Sequence, residues 1–120
     1  MITEKKKILV VEDEKNLALL YQEELSKEGY EVLTASTAAE ALALIKEQPF
    51  DLIITDIRMP FKNGIELISD IMAMKRDIPV IINTAYESYR HDFMTWAADA
   101  YLIKSASLDE LKAKIKELIG

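Results

Sequence analysis

The chain has 120 residues, 50% of them hydrophobic, and a formal net charge of -6. This length predicts one domain, residues 1–120, with a single core and no room for an output domain. The 21 acidic residues outnumber the 15 basic ones, which disfavours direct nucleic-acid binding, and the absence of cysteine excludes disulfides and thiolate-bound metals.

Apolar runs of strand length alternate along the chain with segments of helical period, which is typical of βαβ units. The first run, Ile8 to Val11, follows lysines and is followed at once by acids, so it predicts a strand rather than a signal peptide or membrane span. We therefore expect a cytoplasmic protein. The predicted strands are Lys7 to Val11, Glu31 to Ala35, Asp51 to Thr55, Val80 to Asn83 and Ala100 to Ile103.

Turn and capping residues between the strands predict the helices. A fourth helix, from about Ser88 to Trp96, is predicted from a weaker apolar stripe. Right-handed crossovers between five β/α pairs give an α/β fold with a doubly wound parallel sheet. The other signals are Gly29 after the first helix, Thr37 with Glu40 before the second, Asn63-Gly64 and Pro79 around the third, and Ser107 with Glu110 before the last.

Charged or hydroxylated residues follow four of the predicted strands, at the edge where doubly wound sheets carry their working residues. Glu12, Asp13 and Asp56 are expected to converge there. Carboxylates that close together repel and raise each other's pKa, so the pattern predicts a divalent cation, Mg²⁺ or alternatively Mn²⁺. Thr84 adds a hydroxyl and Lys104 an ammonium at the same edge.

These groups together suit phosphoryl transfer, which needs positioning and the neutralisation of charge more than covalent chemistry. Asp56 is the predicted nucleophile, forming an acyl phosphate, with Thr84 and Lys104 contacting the phosphoryl oxygens. Taken singly, each residue also fits a structural role, because acids favour the first turn of a helix and threonines cap. It is the joint pattern that predicts a phosphoacceptor.

Four motifs extend this prediction over the whole chain, which resembles the receiver domain of two-component response regulators. The resemblance implies a flavodoxin-like (βα)5 domain with strand order 2-1-3-4-5, a signalling switch rather than an enzyme, with autophosphorylation and autodephosphorylation chemistry. The motifs are Ile8-Leu-Val-Val-Glu-Asp-Glu, Asp51-Leu-Ile-Ile-Thr-Asp-Ile-Arg-Met-Pro-Phe-Lys-Asn-Gly, Pro79-Val-Ile-Ile-Asn-Thr-Ala and Asp99-Ala-Tyr-Leu-Ile-Lys.

The resemblance also implies partners and residue roles. Asp56 would receive its phosphoryl group from a sensor histidine kinase or a phosphotransfer protein. Thr84 and Tyr101 would act as a switch that remodels the surface of helix four, strand five and helix five. That surface would bind a downstream effector or a fused output domain, and a phosphorylation-dependent homodimer is left open. The implied Mg²⁺ ligands are Asp13, Asp56, the backbone carbonyl of Arg58 and, through water, Glu12.

Two departures from the family lie near the fifth strand. Ser105 follows Lys104 where the family usually has a cis proline, so a trans bond is expected, or a strained one maintained by the site. Ala97 replaces a glycine, so the fourth helix is expected to end without a left-handed cap.

Several alternatives were weighed. An Asp-nucleophile phosphatase of the haloacid-dehalogenase kind needs an acid where Arg58 stands, and a flavodoxin-like binding module would not place Glu12-Asp13-Glu14 in its phosphate loop. A degenerate receiver that only binds a partner is the closest alternative. Surplus leucines on the first helix, among them Leu19, fit either a kinase-docking face or irregular core packing.

Overall fold

The computed structural model describes residues 5–57, 64–74, 77–85, 98–104 and 107–120. Within these ranges the chain forms strands and helices in the predicted alternation. The predicted fourth helix and the Lys104-Ser105 junction lie outside the described residues, so α4 below is the last helix of the chain. The elements are β1 (Lys7–Val11), α1 (Lys15–Lys27), β2 (Glu31–Ala35), α2 (Ala38–Glu47), β3 (Leu52–Thr55), α3 (Gly64–Ala73), β4 (Val80–Thr84), β5 (Ala100–Ile103) and α4 (Asp109–Ile119).

All five strands form one parallel sheet in the order β2-β1-β3-β4-β5. This confirms the predicted doubly wound topology, in which the sheet order reverses at the neighbouring strands β1 and β3. β3 begins at Leu52 rather than Asp51, because the Asp51 carboxylate instead accepts a hydrogen bond from the backbone N–H of Lys7 at 2.7 Å. β4 extends one residue beyond the prediction, to Thr84.

The sheet is buried on both faces because its strands are apolar at successive positions. In β1, Leu9 and Val11 face a core with residues of α2 and α3, whereas Ile8 and Val10 face a core with residues of α1 and α4. Two cores on opposite faces hold the sheet rigid, and they leave its carboxyl edge for polar residues. No helix in the described part of the chain has the length and apolar character needed to cross a membrane.

Helix-end signals were confirmed in part. Gly29 has a φ of 97° and its N–H bonds the carbonyl of Ser26, as expected after the first helix. The Thr37 hydroxyl accepts from the backbone N–H of Glu40 at 3.1 Å, which confirms the predicted cap, although the Glu40 carboxylate reaches back to Ser36. α3 ends at Ala73, earlier than predicted.

The predicted capping box before the last helix was wrong. The Ser107 hydroxyl accepts from the backbone N–H of Asp109 at 3.2 Å rather than from Glu110, and Leu108 is the residue at the N-cap. Leu108 has φ -95° and ψ 7°, so the chain turns before the helix begins and the serine stands one residue too early to cap it.

Candidate functional site

Three backbone hydrogen bonds fix the residues that follow the strands at the carboxyl edge. The N–H of Glu12 bonds the carbonyl of Ala35 at 2.9 Å, and the N–H of Asp56 bonds the carbonyl of Val11 at 3.3 Å. The N–H of Lys104 bonds the carbonyl of Thr84 at 2.8 Å. Each side chain therefore starts from backbone that is tied to the neighbouring strand, which limits where it can reach.

Lys104 joins the two buried carboxylates of the site. Its Nζ donates to Glu12 Oε1 at 2.6 Å and to Asp56 Oδ2 at 2.5 Å. The Glu12 and Asp56 side chains are only 4% and 8% exposed, and that of Lys104 is 18% exposed. Three of the residues predicted from the sequence thus meet in one nearly dry cluster.

Burial and charge act against each other on the ionisation of this cluster. Burial raises the pKa of Glu12, although the hydrogen bond and charge of Lys104 oppose that rise. Burial alone would lower the pKa of Lys104, but its hydrogen bonds to Asp56 and Glu12 outweigh that effect and raise the pKa above the ordinary lysine value. Lys104 consequently remains a cation throughout the physiological pH range and partly neutralises the acids beside it.

The carboxylate of Asp56 is held at both oxygens. Oδ2 accepts from Lys104, and Oδ1 accepts from the backbone N–H of Ile57 at 2.7 Å. The carbonyl of Asp56 in turn accepts from the Thr55 hydroxyl at 2.9 Å. Sequence reasoning missed Thr55, and the signal available was a single polar residue at the end of the apolar run Leu52-Ile-Ile.

Asp13 differs from its neighbour Glu12 because it is exposed. Among the described residues, no group of three or more carboxylate, imidazole or thiol side chains stands close enough together to hold a metal ion. Arg58, whose backbone carbonyl the resemblance implies as a ligand, lies outside the described residues. Even so, two buried carboxylates with a third at the rim form an all-oxygen donor set, which fits Mg²⁺ because that ion binds few carboxylates and keeps several waters.

Thr84 and Tyr101 lie on neighbouring strands and on the same face of the sheet. Tyr101 is in register with Ile82, and Thr84, two residues beyond Ile82, is fully buried. Side chains two residues apart on a strand share a face, so the hydroxyl of Thr84 and the ring of Tyr101 project to one side.

Asn83 projects to the opposite face, away from Thr84, as the strand period predicts. Its Nδ2 donates to the hydroxyl of Tyr21 at 2.9 Å, both side chains being buried. Burial raises the pKa of Tyr21. This hydrogen bond, which joins α1 to β4 beside the site, was not predicted from the sequence.

Known proteins identify the fold and the site. The family model for the response regulator receiver domain matches residues 8–116. The chain belongs to this family. Curated relatives include the alkaline phosphatase synthesis transcriptional regulatory protein PhoP of Bacillus subtilis, 34% identical over 95% of this chain and 48% of that protein. The transcriptional regulatory protein ZraR of Escherichia coli is 37% identical over 94% of this chain and 26% of that protein.

Solved receiver structures match over the full domain. Response regulator protein TrrA from Thermotoga maritima, in complex with Mg²⁺-BeF, has 48% identity and a TM-score of 0.91, covering 94% of this chain and 98% of TrrA. TrrA in complex with histidine kinase ThkA has 47% identity and a TM-score of 0.89, covering 96% of this chain and 99% of that one. The receiver domain described here spans at most about half the length of the curated relatives above.

Proposed function

We propose that Asp56 of this receiver domain accepts a phosphoryl group from the phosphohistidine of a sensor histidine kinase or a phosphotransfer protein. The observation that carries the proposal is the Asp56 carboxylate itself, nearly buried, bonded at one oxygen to Lys104 and at the other to the N–H of Ile57. A carboxylate fixed beside a permanent cation is suited to attack phosphorus, because the cation offsets repulsion between the two anions. The kinase complex of TrrA supports the choice of donor.

In the proposed transfer, an oxygen of Asp56 forms a bond to phosphorus while the P–N bond to the donor imidazole breaks. The electron pair of that bond stays on the imidazole nitrogen, which takes up a proton. Lys104 moves its ammonium from the carboxylates to an oxygen of the incoming phosphoryl group, and the Thr84 hydroxyl donates to another. The product is an acyl phosphate, which water can later hydrolyse.

The proposed metal site uses the all-oxygen donors at this edge. Glu12, Asp13, Asp56 and the backbone carbonyl of Arg58 would hold Mg²⁺, with Mn²⁺ as a substitute of similar ligand preference. When bound, the cation supplies positive charge against the phosphoryl oxygens. The Mg²⁺-BeF complex of TrrA, 48% identical to this chain, supports the choice of Mg²⁺.

The proposed output is a switch at the Thr84 and Tyr101 face of the sheet. Movement of Thr84 toward the phosphoryl group would free space for the Tyr101 ring, so phosphorylation biases a two-state equilibrium of the adjoining surface. That surface, predicted to comprise the helix at 88–96, β5 and α4, would bind a downstream effector or a fused output domain in the cytoplasm. Relatives two to four times as long, named as transcriptional regulators, support a fused output.

The proposed kinase-docking face is the exposed side of α1. Leu19 and Leu20 are 52% and 43% exposed, whereas Tyr21 and Leu25 on the same helix are buried. Two neighbouring leucines that stay outside the core favour docking over irregular core packing.

Intact-mass spectrometry tests the phosphoacceptor. Incubation with acetyl phosphate and Mg²⁺ should add one phosphoryl unit to the wild type and none to Asp56→Asn, because the amide is not a nucleophile for phosphorus. Asp77→Asn, at an exposed aspartate outside the cluster, is the matched control and should gain the same mass as wild type. A wild type that gains no mass from acetyl phosphate or from a kinase would leave the degenerate, partner-binding receiver as the better description.

A further inference from the structure

One peptide unit links Thr55 to the nucleophile. The carbonyl of Asp56 and the N–H of Ile57 belong to the same planar group, so its two ends move together. Thr55 Oγ1 donates to that carbonyl at 2.9 Å, and the N–H at the other end donates to Asp56 Oδ1 at 2.7 Å. The threonine hydroxyl therefore reaches the carboxylate through one rigid group.

Packing alone does not account for a threonine at this position. Thr55 is fully buried and lies in register between Val11 on β1 and Ile82 on β4, both part of the apolar core on that face. Valine has nearly the same shape and would fill this place without a polar atom. A hydroxyl buried among apolar side chains is costly unless it is hydrogen-bonded, and here its partner is the Asp56 carbonyl.

The orientation of the Asp56 carboxylate needs such support. Rotation about the last bond of an aspartate has broad minima, so hydrogen bonds rather than rotamer preference decide where its oxygens point. In the proposed transfer Lys104 leaves the carboxylate for the phosphoryl group. The Ile57 N–H then remains to hold the carboxylate, and a carbonyl that accepts from Thr55 polarises this N–H into a better donor.

We propose that Thr55 is a positioning residue for phosphoryl transfer to Asp56, acting through the peptide unit between Asp56 and Ile57. This inference rests on the proposed phosphoacceptor role. It concerns the rate of phosphorylation: without the hydroxyl, the carboxylate spends less time in the attacking orientation, while the acetyl phosphate concentration that gives half the maximal rate stays unchanged.

The test compares Thr55→Val with Thr55→Ser, using acetyl phosphate with Mg²⁺ and intact mass as readout. Thr55→Val should lower the maximal rate constant on the order of 3- to 10-fold, the effect of one lost hydrogen bond, and Thr55→Ser should restore it to within about 2-fold. Thr34→Val, which removes a half-buried hydroxyl on β2, is the matched control and should leave the rate unchanged. In ¹⁵N spectra the Ile57 amide should shift in Thr55→Val and not in Thr55→Ser.

Stability separates positioning from packing. Thr55→Ser loses a buried methyl group and should melt at a lower temperature than Thr55→Val, so the faster variant is expected to be the less stable one. If Thr55→Val does not fold, Thr55→Ser and Thr55→Ala give the same comparison, since they differ only in the hydroxyl. Equal rates in wild type and Thr55→Val would overturn this inference alone, whereas a wild type without phosphorylation would overturn the proposed function.

Discussion

The two ends of the sheet each place a lysine among oxygen acceptors. At the carboxyl edge, Lys104 bonds Glu12 and Asp56 at 2.6 and 2.5 Å. At the amino edge, Lys7 bonds Gln48 at 2.8 Å and lies 3.3 Å from Glu31. The side chains of Lys7 and Glu31 are 26% and 53% exposed, so water screens their interaction far more than that of the Lys104 cluster.

This difference shows that burial, rather than residue type, makes the carboxyl edge reactive. Similar charged groups shift each other's pKa strongly only where water is excluded. A pocket of about 460 Å³ is found at the amino edge, lined by Lys5, Lys7, Glu31, Pro49 and Asp51. Its size does not mark the reactive end, because it is an open cleft whose charges remain hydrated.

Lys104→Met should break the comparison most severely. It leaves the Glu12 and Asp56 carboxylates facing each other without a cation, so we expect a loss of about 3 kcal/mol in the free energy of unfolding at pH 8, measured by urea denaturation. Lys7→Met, the matched change at the amino edge, should cost less than about 1 kcal/mol. Equal costs would show that the two ends do not differ in the way that their burial indicates.

The pH dependence of these variants follows from the pKa shifts. Burial raises the folded-state pKa of Glu12, so the folded state binds the proton more tightly and the deficit of Lys104→Met should shrink as the pH falls toward that pKa. In wild type the pKa of Lys104 is raised by Asp56 and Glu12 despite burial. Its contribution is complete below the ordinary lysine pKa and is lost only as the pH rises through the folded value.

Tyr21→Phe should sharpen the comparison with a neutral pair beside the same edge. The change leaves the buried Nδ2 of Asn83 without the acceptor it has at 2.9 Å, so we expect a loss of about 1–2 kcal/mol by urea denaturation. Tyr30→Phe, in the same core, is the control and should cost less. If both variants unfold at the same urea concentration, the Tyr21–Asn83 bond adds nothing to stability.

Glu24→Gln should have the smallest effect. Glu24 accepts from Lys27 and Lys112 at 3.2 Å on the surface between α1 and α4, and these lysines lower its pKa. Its contribution is therefore present above the unfolded-state pKa and lost as the pH falls through the folded value. Thermal melts at pH 7 should show a slight decrease that disappears in 1 M salt, while the Lys104→Met deficit persists there. A salt-independent decrease would contradict a screened surface pair.

The strands and their end residues were predictable because local composition decides them. Nearly continuous apolar runs specify buried parallel strands, and the predicted bounds differ from the observed ones by a single residue at β3 and β4. The Thr37 cap was predictable for the same reason, since its partner is three residues away. Ser107 failed because the pattern cannot show the turn at Leu108 that delays the helix.

The sequence by itself determined the alternation of strands and helices, the family, and which polar residues follow the strands. The tertiary structure alone decided how those residues meet. Lys104 bonds Glu12 across 92 positions of the chain and Asp56 across 48, and Asn83 bonds Tyr21 across 62. Such contacts depend on strand order, register and burial, which arise only when the whole sheet assembles. For that reason Asp56 could be predicted as the phosphoacceptor from its motif, whereas the hydrogen bonds that hold its carboxylate could not.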